Sequence, residues 1–393
     1  MKVVQINLIA DNGSTGRTMK ELHDFLVSKS IDSIMIYGHG RKPKGPFEYR
    51  VVGWFGYYYH NILARLFGSQ GWHSYFATKK LIRFLKKQNP DVIHLRNLHG
   101  NFLHLKLFFN YLKEFKGKIF WTTHDFWLIT GMCYMCECDK WKNKCSMPCP
   151  DYKRFRFGRK KYISKNWNLR KNVLATLPNF CIQTNSKFAE SVIKKSLLKD
   201  KKTYLVYNWI DTNVFRPIDL KDSKCSKPVI QVAWSILSKN SWRFQRFLDF
   251  AKEYKDKYHF RMLGLPKDFD SKDYDYVEFI PPTDSKHELA KFYSEGDVFF
   301  NTSDMDTFGK VVAESLACGT PAVVFDNGAL TELIGPGCGI VLQPDVGNKD
   351  IDKAIEQVLK NDKDFYRSAC RKYIVDNFSY QNNCQKLLDA YKS

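Results

Sequence analysis

The sequence has no long apolar run, and this absence excludes the simplest class of integral membrane protein. No apolar stretch in its 393 residues approaches the roughly 20 residues that a helix needs to cross a bilayer. The first residues, Met1–Asn7, predict a β-strand rather than a signal peptide. We therefore expect a cytosolic protein, or one that binds a membrane only at its surface.

Acidic residues are scarce relative to basic ones, and this imbalance favours an anionic partner. The 62 lysines and arginines exceed the 41 aspartates and glutamates, which gives a formal net charge of +21. The tract from Tyr49 to Pro90 has no acidic residue, and the segment from Tyr152 to Asn172 has nine basic residues and no acid. A positive surface of this kind attracts nucleic acid, an anionic membrane or a phosphorylated substrate.

The acid-free tract from Tyr49 to Pro90 also carries many aromatic side chains. Its aromatic residues include Trp54, Phe55, Tyr57, Tyr58, Tyr59, Phe67, Trp72, Tyr75 and Phe76, and its basic residues include Arg65, Lys79, Lys80, Arg83, Lys86 and Lys87. Because rings bury at headgroup depth while cations stay with the phosphates, this mixture predicts docking on an anionic membrane. Single-stranded nucleic acid is the competing partner. An aromatic core beneath a solvated lysine face is the alternative without a partner.

Length and composition favour a globular protein of more than one domain. A chain of 393 residues predicts two or three domains, and a hydrophobic content of 44% with 15% aromatic residues excludes disorder. Apolar strands alternate with helices along the chain, so we expect an α/β fold.

Five of the 11 cysteines lie between Cys133 and Cys149. The lack of a secretory signal indicates a reducing compartment, which argues against disulfides. The spacings resemble a small zinc knuckle, so a structural zinc ion is one expectation. Unbridged thiols are the alternative, because a C-x2-C pair occurs only once. The ligands of the zinc ion would be Cys133, Cys138, Cys145 and Cys149.

The stretch Asn301–Val324 combines an acidic loop, a helix and a strand. Val298–Phe300 before it predicts the end of a buried strand, and apolar residues at helical spacing predict a helix over Lys310–Leu316. Gly309 would let a ligand approach the backbone closely. The N-terminus of a helix at the carboxyl end of a parallel strand is a binding site for anionic ligands in α/β folds.

Two carboxylates of this stretch suit a ligand with two hydroxyl-bearing parts. Asp306 and Glu314 are eight residues apart, so Asp306 lies on the loop before the helix and Glu314 about two turns inside it. Such a pair can bind the two sugars of one nucleotide sugar. An aspartate cap on a helix with an ordinary polar face is the alternative.

The sequence from Asp306 to Glu314 resembles the donor-binding motif of retaining glycosyltransferases of family 4, which have the GT-B fold. In that family the first acid, usually glutamate, contacts hydroxyls of the transferred sugar, and the second binds the ribose. The backbone after a Phe-Gly pair holds sugar and phosphate. The resemblance therefore implies a sugar contact by Asp306 and a ribose contact by Glu314. It implies further donor contacts by Thr307, Phe308, Gly309, Lys310 and Val311.

A histidine follows the predicted strand Lys118–Thr123, at the end where an α/β sheet places its chemistry. His124-Asp125-Phe126-Trp127, followed by the cysteine cluster, resembles a subgroup of family-4 polysaccharide enzymes, and a histidine at this position contacts the transferred sugar in the family. His124 is therefore a predicted catalytic residue. Asp125 would fix the tautomer of the ring or cap the following helix. We interpret His94 and His99 as polar loop residues rather than catalysts.

The first strand is followed by a turn that contains glycine. Asp11–Arg17 predicts this turn, ahead of a helix, and such a turn offers N–H groups to a phosphate or a sugar. It lacks the full G-x-G-x-x-G pattern of dinucleotide sites. The resemblance to family 4 places Gly16 near the donor phosphate.

Two further regions complete the predicted donor site. Lys239 would face the diphosphate, where a lysine supplies positive charge without fixed geometry, and a solvated loop lysine is the alternative. Arg243 would substitute for an arginine that the family pairs with this lysine. Gly264 would allow close stacking of the base, and Ile280 would present backbone groups to a pyrimidine.

Two strand-helix-strand halves predict two Rossmann-like domains that face a cleft. The passage Asn208–Pro217 resembles the family's crossing from the first domain to the second, and Phe378–Tyr391 resembles its terminal helix. The resemblance implies a GT-B fold with an acceptor-side domain over residues 1–215 and a donor domain over 216–375. A helix over residues 376–393 would return to the first domain.

Taken with these features, the resemblance to family 4 implies a retaining glycosyltransferase that moves a hexose from a nucleotide-diphosphate sugar, a UDP-sugar, to a lipid-linked or oligosaccharide acceptor in cell-surface polysaccharide biosynthesis. The resemblance implies no catalytic metal, so the only metal expected is a structural zinc ion. We expect a cytoplasmic protein on the inner face of the cell membrane. The alternative is a basic nucleic-acid-binding protein without catalysis, which explains the net charge but not the spacing of the predicted site residues.

Overall fold

The computed structural model describes residues 1–135, 138–145, 161–219, 226–233, 241–265, 269–303 and 305–393. These residues form two compact units. The first unit contains Met1–Val206 and Cys384–Ser393, and the second contains Tyr207–Asn383. Each unit has a parallel β-sheet with helices beside it, which confirms the predicted α/β class.

The first unit has a seven-stranded parallel sheet. Its strands are β1 (Lys2–Asn7), β2 (Asp32–Tyr37), β3 (Glu48–Arg50), β4 (Val92–Leu95), β5 (Lys118–Thr122), β6 (Phe180–Thr184) and β7 (Lys202–Leu205), in the order β3-β2-β1-β4-β5-β6-β7. The helices are α1 (Gly13–Ser28), α2 (Trp54–Phe67), α3 (Tyr75–Gln88), α4 (Leu105–Glu114), α5 (Lys161–Val173) and α6 (Lys187–Lys194). The central strands are buried almost throughout, as expected where helices cover both faces of a parallel sheet.

The second unit has a six-stranded parallel sheet. Its strands are β8 (Val229–Ala233), β9 (His259–Leu263), β10 (Val277–Ile280), β11 (Val298–Asn301), β12 (Ala322–Phe325) and β13 (Gly339–Leu342), in the order β10-β9-β8-β11-β12-β13. The helices are α7 (Trp242–Glu253), α8 (Lys286–Glu295), α9 (Lys310–Ala317), α10 (Asn348–Leu359) and α11 (Lys363–Phe378), followed by α12 (Tyr380–Lys392).

The strand order reverses at one point in each sheet. In the first unit β1 pairs with both β2 and β4, and in the second unit β8 pairs with both β9 and β11. Ligands of open α/β sheets bind beyond the carboxyl ends of the strands at such a reversal. The loops after β1, β4 and β11 are therefore places where this architecture positions a site, and residues 234–240, which follow β8, lie outside the described ranges.

The end of α12 packs on the first unit, although the helix begins within the second. The Tyr391 hydroxyl hydrogen-bonds His94 on β4, and Lys118 on β5 donates to the Tyr391 carbonyl oxygen at 3.0 Å. Tyr204 and Ser393 join their hydroxyls at 2.7 Å. The chain thus returns to the first unit at its C-terminus, as the sequence predicts.

Two sequence expectations are corrected by the first unit. The turn predicted over Asp11–Arg17 is shorter, because α1 already begins at Gly13. His94 is a buried strand residue rather than a loop residue: its Nε2 lies 2.6 Å from Thr122 Oγ1, and burial lowers its pKa well below the ordinary value. Among the described residues, no helix has both the length and the apolarity of a membrane span.

Candidate functional site

The loop after β11 and the first turn of α9 form the centre of the candidate site in the second unit. Gly309 has φ +86°, and a Cβ atom there would lie 2.3 Å from Leu330 Cδ2. Only glycine fits this left-handed position without moving its neighbour. α9 begins at the next residue, Lys310, so its first N–H groups open directly onto the turn.

Asp306 is fixed through its backbone to the loop after β12. It forms a parallel bridge with Gly328, and its carbonyl oxygen accepts a hydrogen bond from Ala329 N at 2.9 Å. The side chain is half-buried. This bridge brings the predicted sugar-contacting aspartate beside the loop Asn327–Glu332.

Glu314 is a buried carboxylate on α9. Its side chain is 2% exposed, and its Oε2 accepts a hydrogen bond from the Tyr293 hydroxyl at 3.1 Å. Tyr293 lies on α8, and its carbonyl oxygen accepts hydrogen bonds from Gln231 at 2.9 Å and Thr320 at 2.6 Å. Neighbouring elements therefore hold the carboxylate in place, which is the rigidity that a ligand-orienting group needs.

Tyr293 was not predicted from the sequence. The available signal was its apolar spacing with Leu289 on α8, together with the rule that a buried tyrosine hydroxyl finds a polar partner. That rule does not identify the partner, which lies on another helix.

Gly264 and Ile280, the two residues predicted to contact the base, are neighbours in the structure. Gly264 has φ +97° and donates its N–H to the Ile280 carbonyl oxygen at 2.9 Å. Ile280 lines a cavity of about 430 Å³ whose other lining residues include Leu263, Pro282 and Phe292. Because the Ile280 carbonyl oxygen accepts the hydrogen bond from Gly264, one of its two lone pairs is already engaged.

Of the two basic residues predicted to face the diphosphate, one lies outside the described residues. Lys239 is not among them. Arg243, its predicted substitute, is in the first turn of α7, and its carbonyl oxygen accepts a hydrogen bond from Thr302 Oγ1 at 2.6 Å. This bond joins the start of α7 to the loop after β11.

In the first unit, Gly16 lies in the first turns of α1 and faces the loop after β1. A Cβ atom at Gly16 would lie 3.2 Å from the backbone of Ala10 and Asp11, so glycine allows the helix to approach this loop. Because α1 begins at Gly13, the N–H groups without a partner in the helix precede Gly16. A phosphate contact at this helix would therefore use the amides of the first turn.

His124 follows β5, and its ring contacts Arg96 rather than the predicted partner Asp125. Its Nε2 is 2.9 Å from Arg96 Nη1. Asp125 accepts a hydrogen bond from Trp127 N at 2.9 Å, and its other oxygen lies 3.0 Å from His99 Nε2. The hydrogen bond from Trp127 N places Asp125 at the start of a turn, and no helix begins there among the described residues, so the predicted helix cap is wrong. Arg96 is the side chain that contacts the His124 ring, and the sequence did not predict this contact.

The cysteine cluster is only partly within the described residues. Cys133 and Cys145 are buried, Cys138 is half-buried, and Cys149 lies outside the described ranges. In those ranges, which omit 136–137 and 146–160, no three metal-ligating side chains are grouped. Arg170 on α5 is fully buried near this cluster: its Nη1 donates to the Thr130 carbonyl oxygen at 2.8 Å, and burial lowers its pKa to about 9.

The zinc knuckle remains a prediction. If Cys133, Cys138, Cys145 and Cys149 bind zinc, elemental analysis should give about one zinc per chain, and a chelator should lower the melting temperature. Cys145→Ser should abolish the zinc, whereas Cys181→Ser, a substitution on β6, should retain it. Metal-free protein with titratable thiols at all four positions would contradict the knuckle.

Two family descriptions match the sequence. Residues 15–214 match Glycosyltransferase Family 4, and residues 270–375 match Glycosyl transferases group 1. The first match spans just over half of the 393 residues. It includes Gly16, His124 and the start of the second unit.

Related proteins match over nearly the whole length. The chain is 22% identical over 416 aligned positions to the putative colanic acid biosynthesis glycosyl transferase WcaC of Escherichia coli (strain K12). This alignment covers 100% of the chain and 98% of the relative. Sucrose-phosphate synthase from Thermosynechococcus elongatus has a TM-score of 0.70 at 14% identity, with 100% and 98% covered. Anabaena Alr3699/HepE in complex with UDP-glucose has a TM-score of 0.64 at 14% identity, with 100% and 99% covered.

The structural likenesses confirm the predicted GT-B fold, since two parallel-sheet units of this topology match those proteins over the full chain. The match over residues 15–214 further shows the family: this chain is a glycosyltransferase that belongs to glycosyltransferase family 4.

Proposed function

We propose that this protein is a retaining glycosyltransferase that moves a hexose from a UDP-sugar to a lipid-linked or oligosaccharide acceptor during cell-surface polysaccharide biosynthesis. The named function of the colanic acid relative supports the pathway class, and the UDP-glucose complex of HepE supports the donor. The observation that carries the proposal is the β11–α9 connection, where Asp306, Gly309 and Glu314 occur at the spacing of the family's donor motif.

Glu314 is proposed as the ribose ligand. A carboxylate accepts hydrogen bonds from two adjacent hydroxyls, and charge-assisted bonds of this kind are stronger than neutral ones. Tyr293 occupies one lone pair of Oε2, which fixes the carboxylate while leaving further acceptor capacity.

The charges that develop during transfer are proposed to meet separate groups. Departure of the diphosphate builds negative charge, which the N–H groups at the start of α9, Lys239 and the first turn of α1 would stabilise. The sugar ring becomes positive, and Asp306 and His124 would orient it. The acceptor hydroxyl attacks from the face that the phosphate leaves, and the departing phosphate takes its proton. Comparing the anomeric configuration of donor and product by NMR tests this, because inversion would contradict the proposed mechanism.

The acceptor side is proposed to dock on the inner, anionic leaflet of the cell membrane through α2 and the start of α3. Of the 14 residues of α2, two, His60 and Ala64, are buried. A helix that is apolar nearly all round is normally buried, so this exposure needs a partner. The exposed large residues are Trp54, Phe55, Tyr58, Tyr59, Ile62, Leu66 and Phe67 on α2 with Tyr75 and Phe76 on α3, and we call them the aromatic patch.

Exposure excludes the aromatic-core alternative for most of the rings in the tract from Tyr49 to Pro90. Phe55 is 81% exposed and Phe76 is 78% exposed. Tyr57 and Trp72, by contrast, are half-buried: Tyr57 stacks on His39, and Trp72 donates to Asn166 at 2.6 Å.

Basic side chains lie on the helix that follows the patch. Lys79, Lys80, Arg83, Lys86 and Lys87 on α3 are all exposed, and Lys86 in addition forms a 3.4 Å ion pair with Glu114. Rings at headgroup depth beside cations are the combination that an anionic leaflet binds. Lys86 is therefore a weaker choice for substitution than its neighbours.

The membrane proposal predicts binding to vesicles that contain anionic lipid, with a loss at high salt. Each basic residue near such a surface contributes about 1 kcal/mol, so changing Lys79, Lys80 and Lys87 to glutamate should weaken vesicle binding by at least roughly 100-fold. Phe55→Ser with Phe76→Ser should also weaken it, by removing insertion of the rings. Co-sedimentation with vesicles of phosphatidylglycerol and phosphatidylcholine measures both.

The matched controls lie in the second unit. Changing the exposed Lys252, Lys349 and Lys360 to glutamate alters net charge equally, and Phe365→Ser removes an exposed ring. Both controls should bind vesicles like the unchanged protein. Binding that ignores lipid charge, or that falls equally in the controls, would overturn the proposal. Salt-sensitive binding of single-stranded oligonucleotides by the same surface, without vesicle binding, would assign the patch to nucleic acid instead.

A further inference from the structure

Arg96 is a buried arginine between the first strand and His124. Its side chain is 1% exposed, and its Nη2 donates to Gln5 Oε1 at 3.1 Å while Nη1 faces His124 Nε2 at 2.9 Å. Within the described ranges, no carboxylate lies within ion-pair distance of this guanidinium. A buried cation whose hydrogen-bond partners are neutral costs folding free energy, and the negative charge of Glu21 offsets that cost only in part, since the pKa of Arg96 is still lowered. A function in the site would account for the position of Arg96.

The chemistry of the two side chains determines the direction of the hydrogen bond between them. A guanidinium has N–H donors and no acceptor, so the atom that faces Nη1 must accept. Burial lowers the pKa of Arg96 to about 10, and the group therefore stays protonated at neutral pH. His124 Nε2 consequently carries no proton, and the neutral ring carries its proton on Nδ1.

The other end of the guanidinium is equally constrained. Gln5 Nε2 donates to the Met19 carbonyl oxygen at 3.1 Å, so the amide must turn its oxygen toward Arg96. The main-chain N–H of Arg96 donates to the Ile6 carbonyl oxygen at 2.9 Å. The guanidinium is thus oriented by β1 and α1, and it transmits that orientation to the ring after β5.

We propose that Arg96 is a positioning residue that holds His124 as the neutral Nδ1–H tautomer, so that the ring presents an N–H donor to an oxygen of the transferred sugar. The opposite tautomer would present an acceptor at Nδ1. A second proton on Nε2 would break the bond to Arg96 and place two cations 2.9 Å apart. The contact with sugar rests on the proposed function, whereas the tautomer does not.

The tautomer is measured directly by NMR of protein labelled with ¹⁵N-histidine. The His124 signals are identified by their loss in His124→Gln, and the long-range spectrum distinguishes a protonated from an unprotonated ring nitrogen. We expect Nδ1 protonated and Nε2 unprotonated in the unchanged protein. Arg96→Met should shift the ring toward the Nε2–H form, and Arg96→Lys, which keeps a cationic donor, should retain the original pattern. His287, exposed on α8, should be unaffected.

The same variants separate positioning from folding. Arg96→Met should lower kcat by roughly 10–100-fold with little change in the KM for donor, and Arg96→Lys should recover part of that loss. A ring protonated on Nε2 in the unchanged protein overturns the inference even if Arg96→Met fails to fold. An unaltered tautomer in a folded Arg96→Met variant overturns it as well. Absence of any sugar transfer would instead contradict the proposed function, and the ring measurement would still be interpretable.

Discussion

Asp306→Asn and His124→Ala should each lower turnover of the intact donor by roughly 100-fold, while UDP still binds with nearly unchanged affinity. The expected size is that of removing one group that stabilises a charged transition state. Both side chains are proposed to contact the transferred hexose, which UDP lacks. The loss should therefore be in kcat rather than in nucleotide binding. Initial rates at saturating donor, together with UDP calorimetry on the same preparations, measure the two quantities.

Matched substitutions distinguish this effect from general damage. Asp345→Asn and His287→Ala remove a carboxylate and an imidazole at exposed positions of the second unit, and both should retain full turnover. If Asp306→Asn or His124→Ala weakened UDP binding as much as turnover, the residue would belong to the nucleotide site or to the folded framework instead.

Glu314→Gln should weaken UDP binding by about 1.5–3 kcal/mol, which is roughly a 10- to 150-fold rise in Kd. Glutamine keeps the size of the side chain but loses the negative charge that strengthens hydrogen bonds from two ribose hydroxyls. Its amide group would also meet the Tyr293 hydroxyl, which now donates to the carboxylate at 3.1 Å. Isothermal titration calorimetry of the variant with UDP gives the change directly.

Two separate single variants, Tyr293→Phe and Glu356→Gln, serve for comparison with Glu314→Gln. Tyr293→Phe should give a smaller loss of affinity, since the carboxylate keeps its charge but loses one fixed donor. Glu356→Gln changes a carboxylate on α10 that pairs with Lys257, and UDP affinity should not change. Unchanged affinity in Glu314→Gln, with a normal melting temperature, would remove Glu314 from the ribose site.

Local features of the second unit were predictable because they depend on short-range rules. A glycine before an apolar helical pattern predicts a turn followed by a helix, and α9 begins at Lys310 as expected. Its predicted end differs by one residue, at Ala317 instead of Leu316. Apolar runs with short flanking loops likewise predict buried parallel strands, and both sheets consist of them.

The partners of the site residues were not predictable, because they depend on which elements are neighbours in space. His124 contacts Arg96 because β4 and β5 pair side by side, although the residues are 28 positions apart. Glu314 contacts Tyr293 across two helices. The sequence instead offered Asp125, an adjacent residue, as the group that fixes the ring, and the backbone directs that carboxylate to Trp127 N.

The exposure of the aromatic patch was likewise not predictable from the sequence. Composition identified a tract without acids that mixes rings and lysines, but periodicity does not tell whether a ring is covered by another element. Phe55 and Phe76 are exposed because no described element packs over the start of α2 or α3. Tyr57 in the same helix is half-buried against His39.

The use of a UDP-sugar as donor by this family-4 glycosyltransferase is the part of the proposed function that can be tested most directly. The direct measurement is incubation of the purified protein with a panel of UDP- and GDP-sugars, with and without lipid-linked acceptors, followed by quantification of the nucleotide diphosphate released. We expect UDP release from at least one UDP-hexose, a strong increase when a lipid-linked acceptor is present, and loss of the signal in Asp306→Asn. Release of GDP alone, or no release from any UDP-sugar with any acceptor, would contradict the claim.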